Sequence, residues 1–204
     1  MPFAHDRYAK EYDDLVKSYN CHIADVLFGL SYEYLKKGES LLDVGIGTGL
    51  SSRCFNQAGV EITGIDGSTE MLKICAAKGF ARQLINQDLL NLPWPLQDDQ
   101  FDHVVCCGVF HFLGELDDLF MEVSRVQKKG GIFAFTEMAG RTDLNNQAKY
   151  SNKLEDGLMV YTHQFVYIDH LVKTAGYSIE KEVISLVGDT PFRCLLGVKR
   201  GSPN

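Results

Sequence analysis

Short apolar runs alternating with helix-forming stretches predict an α/β protein: a Rossmann-like, doubly wound, mostly parallel seven-stranded sheet ending in an antiparallel hairpin. Three observations carry this expectation. Apolar runs recur at residues 40–44, 60–65, 81–85, 101–107 and 132–136, with helical sequence between them. The first run empties into the glycine-rich turn Gly45-Ile46-Gly47-Thr48-Gly49. Near the end the alternation stops, and two runs, 178–186 and 192–199, follow each other with no helix between them.

In chain order, Tyr8, Tyr12, Leu15 and Tyr19 recur at helical spacing, as do Ile23, Val26, Leu27, Leu30 and Tyr34, until Gly38 stops the second helix. Residues 1–38 are therefore read as a helical lid ahead of the first strand. A helix over about 50–58 follows the glycine turn. Ser68 or Thr69 caps the next helix, which carries Met71, Leu72, Ile74 and Cys75 and ends at Gly79. Pro93 and Pro95 make 91–96 a loop. A helix over 116–126 turns through Lys128-Lys129-Gly130-Gly131 into the fifth strand. Residues 139–162 fit no strong element and are read as an insertion over the open edge of the sheet. A helix over 165–175 precedes the two final strands, joined by the five residues 187–191.

The chain of 204 residues is read as a single domain. Its net charge of −7 argues against a protein that holds nucleic acid by its phosphates, and no apolar run approaches a membrane span. Six scattered cysteines without a C-x-x-C pair, behind an N-terminus lacking an apolar leader segment, predict reduced thiols in the cytoplasm. The six histidines show no metal-binding spacing, so no metal is expected.

Right-handed crossovers place all the parallel strand ends along one edge, where such sheets bind ligands. Four features fall there: Asp43 with the glycine turn, Asp66 at the end of the second strand, Asp88 after the third, and Cys107 to Phe112 where the fourth strand leaves the sheet. A strand-end carboxylate accepts hydrogen bonds from ribose hydroxyls, and glycines let a ligand approach the backbone. Together they describe a site for an adenosine-containing ligand. A dinucleotide needs G-x-G-x-x-G facing a pyrophosphate; here the glycines alternate, and Asp43 would repel that anion but suits a cationic amino group.

These segments resemble the class I S-adenosylmethionine-dependent methyltransferases, in their small-molecule-type members. Leu41 to Gly49 is similar to motif I of that family, and Gly64 to Leu72 to the ribose-binding segment. Asp88-Leu89 followed by Leu92-Pro93 resembles the adenine-edge segment, Phe101 to Leu113 the fourth-strand motif, and His5 to Asp13 an N-terminal motif that folds over the cofactor. Gly67 stands where many relatives carry an apolar residue or proline. The resemblance implies that Gly45, Gly47, Thr48 and Gly49 line the methionine moiety and that Asp43 orients its ammonium. It further implies Asp66 and Gly67 at the ribose, Met71 against adenine, Asp88 and the Leu89 backbone at the adenine edge, the Gly108 carbonyl at the ammonium, and Tyr12 closing the site. The expected cofactor is S-adenosylmethionine, and the expected partner is a small-molecule methyl acceptor met by a monomer or homodimer. On the acceptor side the candidates are His111, as a general base, with Arg141, Tyr161 and His163. Two alternatives stay open: a catalytically silent cofactor-binding subunit and a nicotinamide oxidoreductase.

Overall fold

The computed structural model describes residues 9–139, 148–155 and 157–200, together with Asp6. A seven-stranded sheet is built from β1 (Ser40–Val44), β2 (Glu61–Asp66), β3 (Gln83–Asn86), β4 (His103–Cys106), β5 (Ile132–Met138), β8 (Tyr177–Val187) and β9 (Thr190–Lys199), in the order β3-β2-β1-β4-β5-β9-β8. β1 to β5 pair in parallel, and β9 runs antiparallel to both β5 and β8. The order reverses between β1 and β4, so a crevice opens at their carboxyl ends.

Burial of both faces explains the apolar runs. Helices α5 (Asp117–Val126) and α6 (Phe165–Thr174) cover one face, where Phe110, Phe120, Phe133 and Phe135 pack with ring centroids 4.7–6.4 Å apart. All four are fully buried, each contributing about 1.5–3 kcal/mol of transfer free energy. Helices α2 (Ile23–Ser31), α3 (Ser52–Gln57) and α4 (Thr69–Lys78) cover the other face over Leu41, Ile62, Val105 and Cys194. Ser68 caps α4 by accepting from the Met71 N–H, and Gly79 closes it with a φ of 70°. Gly64 in β2 has a packing reason: a Cβ there would lie 2.4 Å from Ile46 Cδ1, so its absence lets the glycine turn fold back over the sheet.

Three sequence expectations are corrected. The first helix is only α1 (Tyr12–Ser18), without a buried residue; Leu15 and Tyr19 are 40% and 55% exposed, so the tyrosine spacing does not mark a core face. The insertion contains an antiparallel hairpin, β6 (Tyr150–Glu155) with β7 (Leu158–His163), bridged to the end of β5 at Ala139 and His163. The last hairpin turns more tightly than read: Val187 pairs Thr190 directly, leaving Gly188 and Asp189 as the loop. Among the described residues no helix is long and apolar enough to cross a membrane.

Candidate functional site

At the switch point lies a cavity of about 420 Å³, within the range of small-molecule sites. Its floor is the turn after β1. Gly47 takes a φ of 52° and its N–H donates to Asp66 Oδ2 at 2.8 Å, while the Ser68 N–H donates to Asp66 Oδ1 at 2.8 Å. Two backbone donors thus fix the carboxylate at the cavity wall. Gly67, Met71, Asp88 and Leu89 continue this wall. The Asp88 carboxylate also accepts from the Leu90 N–H at 3.0 Å, which orients it.

Gly108, another lining residue, donates its N–H to Thr136 Oγ1 at 2.8 Å with a φ of 71°. Tyr12 lines the same cavity as Gly45, Gly47, Thr48 and Asp66, and loss of water around its hydroxyl pushes its pKa up. Ten expected cofactor residues therefore meet in one place: Tyr12, Gly45, Gly47, Thr48, Asp66, Gly67, Met71, Asp88, Leu89 and Gly108.

Two others do not line it. Gly49 turns away toward Phe80 and Cys75, where a Cβ would sit 2.5 Å and 2.9 Å from them. Asp43 is wholly buried beneath the turn, where Ser51 Oγ and Ser52 Oγ each donate to Oδ2 at 2.6 Å, tying β1 to the start of α3. Burial raises its pKa to about 6 against the lowering effect of those serines. Its Oδ1 is buried without a partner, so this carboxylate acts through the loop rather than at the open cavity.

The acceptor side is also corrected. His111 does not line the cavity; the short 3-10 turn Phe110–Phe112 swings its ring onto Phe112 (4.0 Å) and edge-on to Phe192 (5.5 Å). His163 is 1% exposed, donates Nε2–H to the Gly114 carbonyl at 3.0 Å and stacks on Tyr167, and burial lowers its pKa. Tyr161 packs edge-on against Tyr150. Both pack within the hairpin and against its neighbours; no described residue of the insertion lines the cavity, and β7 packs on the Phe110–Phe112 turn. Arg141 and Tyr8 lie outside the described residues.

The opposite wall is formed instead by the junction of α1 and α2. Asn20, Cys21, His22 and Asp25 line the cavity there, with Cys107, Phe112 and Leu113 across from them. His22 Nδ1 lies 3.4 Å from Asp25 Oδ2, and among the described histidines it alone reaches the cavity. Sequence periodicity gives no signal for this wall, because it is a turn between two helices.

The pattern that defines the methyltransferase domain family matches residues 42–135, from β1 to β5. The demethylmenaquinone methyltransferase of Tropheryma whipplei (strain Twist) is 33% identical over 102 residues, covering 50% of this chain and 43% of that protein. The chain thus spans less than half the length of that relative. An uncharacterized methyltransferase of Geobacillus thermodenitrificans is 30% identical over 143 residues, covering 67% of this chain and 66% of the relative. Among solved structures, the Haloferax volcanii protein solved in complex with the Trm112 methyltransferase activator superposes with a TM-score of 0.77 at 16% identity, covering 98% of this chain and 97% of that one.

Proposed function

This chain belongs to the S-adenosylmethionine-dependent methyltransferases of the class I fold, and we propose that it transfers a methyl group to a small molecule held between Phe112–Leu113 and the α1–α2 junction. The observation that carries this reading is the convergence of four strand ends on one cavity, with Asp66 held by two backbone N–H groups. When bound, S-adenosylmethionine supplies a methyl group on a sulfonium, an electrophile that needs no metal or covalent enzyme intermediate.

The residues present fit that cofactor. Asp66 would accept from both ribose hydroxyls, Asp88 from the adenine amino group with Met71 beneath the ring, and the Gly108 carbonyl from the ammonium. Asp43, carrying an unpartnered oxygen under the turn, would add negative potential below the same ammonium. The chain's contribution is alignment and exclusion of water, because displacement at a methyl group depends on in-line geometry. Tyr12 would cover the reacting centre. A proton leaving the acceptor would meet His22 rather than His111, since among the described histidines His22 alone lines the cavity. Action in the cytoplasm, where cysteines stay reduced, is part of the same proposal.

The test is calorimetric titration with S-adenosylhomocysteine. Wild-type protein should bind, and Asp66→Ala should bind about 10- to 150-fold more weakly, equivalent to about 1.5–3 kcal/mol for hydrogen bonds to a charged group. Absence of binding to wild type would remove the functional reading. Equal affinities would remove only the ribose role.

A further inference from the structure

Helix α1 poses a mechanical question. It is seven residues long, buries none of its own residues, and is too short to persist on intrinsic helix stability. Something must hold it where Tyr12 covers the cavity. The residue after Tyr12 does so at two points. Asp13 Oδ1 accepts from Thr48 Oγ1 at 2.5 Å, and Oδ2 accepts from Lys78 Nζ at 2.5 Å. Thr48 belongs to the glycine turn and is 1% exposed; Lys78 is the last residue of α4. One carboxylate therefore ties α1 to the glycine turn and to the end of α4. A second tether precedes it, where Ser68 Oγ donates to Asp6.

We propose that Asp13 is a positioning residue: it latches Tyr12 over the cavity and so sets how long an S-adenosyl ligand stays bound. This rests on the reading that the cavity takes such a ligand. The Asp13 and Lys78 side chains are 28% and 29% exposed, so water and salt reach the latch and it can open. Thr48 makes the latch responsive to the site, because a ligand that orders the glycine turn orders the hydroxyl Asp13 holds. Opening the latch releases α1 without disturbing the core, since α1 contributes no buried residue.

The experiment measures the dissociation rate of S-adenosylhomocysteine by stopped flow, and amide exchange over residues 12–18 in the ligand-free protein. Asp13→Ala should dissociate about tenfold faster or more, the effect of losing charge-assisted hydrogen bonds, with the melting temperature of the ligand-free protein unchanged. Salt should accelerate release from wild type, and Lys78→Gln should have a smaller effect than Asp13→Ala and should lose that acceleration. The exchanged pair Asp13→Lys with Lys78→Glu should recover part of the slow release. Asp13→Ala should also speed exchange at residues 12–18. Unchanged dissociation in Asp13→Ala overturns the proposal. So does a rate change accompanied by an equal loss of global stability, which would make Asp13 merely structural. If wild type does not bind the ligand, the functional reading fails instead. The latch is then judged by exchange alone, and unchanged exchange in Asp13→Ala overturns it.

Discussion

Asp43, next to last in β1, and Asp66, last in β2, lie near the ends of neighbouring strands and meet opposite fates. Asp66 sits at the cavity wall on two backbone N–H groups; Asp43 goes under the turn, where only serine hydroxyls answer it. Its pKa of about 6 against an ordinary 3.8 means that the folded protein holds the proton more tightly than the unfolded chain does. Stability from this group is therefore full below about pH 4 and is lost as pH rises through 6, an effect on the order of 3 kcal/mol. Asp43→Asn should remove that loss. Its ligand-free melting temperature should match or exceed wild type at pH 8, while S-adenosylhomocysteine binding weakens because the ammonium loses its counter-charge. Thermal melts at pH 5 and pH 8, with one titration, check both halves; a variant that binds normally would reduce Asp43 to a structural role. Both aspartates are legible in the sequence because a parallel strand delivers its carboxyl end to a known edge. His111 is not, since a 3-10 turn decides which way its ring points.

Elements outside the sheet are where local sequence and structure diverge. β6 is exposed beyond Tyr150 while β7 is half-buried, and two strands alone are marginal in water. It is held by its neighbours: His163 bonds the Gly114 carbonyl, Lys149 pairs with Glu115 and Asp117, and the Tyr167 hydroxyl donates to Asp117 at 2.6 Å while accepting from the Leu116 N–H at 2.8 Å. The strongest clue to this hairpin was the dipeptide Asp156-Gly157, a turn former that the charges around it obscure. Tyr167→Phe leaves the start of α5 with an unmet donor and should destabilise the protein by about 1–3 kcal/mol in urea denaturation. Because neither Tyr167 nor any described hairpin residue lines the cavity, the affinity for S-adenosylhomocysteine should stay within twofold. A large loss of affinity would mean that the insertion shapes the cofactor site after all.

At the scale of the whole molecule, the sheet joins two halves with different rules. The parallel half is readable because both faces are covered, so its strands are continuously apolar and separated by helices. The antiparallel half depends on a joint no local pattern reveals. There Arg193 of β9, 4% exposed, donates to Glu137 of β5 at 2.6 Å, to Glu182 of β8 at 2.8 and 3.1 Å and to Asp169 of α6 at 3.3 Å, with its guanidinium 4.3 Å from the Phe165 ring centroid. Glu137 is completely buried with Oε2 unpartnered, and burial holds its pKa above the usual carboxylate range even beside Arg193. One cation serving three carboxylates has a predictable weakness. Arg193→Met leaves Glu137 buried without a counter-charge and should cost about 3–5 kcal/mol at pH 8. The loss should shrink toward pH 5, because the stranded carboxyl then takes up a proton: its raised pKa gives stability that is present at low pH and lost as pH rises. Adding Glu137→Leu to Arg193→Met removes the stranded group, and the double variant should regain most of the lost stability at pH 8, since an apolar pair replaces a buried ionic one at little net cost. Urea denaturation of both variants at the two pH values decides the matter. A double variant no more stable than Arg193→Met alone would show that the joint is held by the contacts of Arg193 with Glu182 and Asp169, not by its service to Glu137.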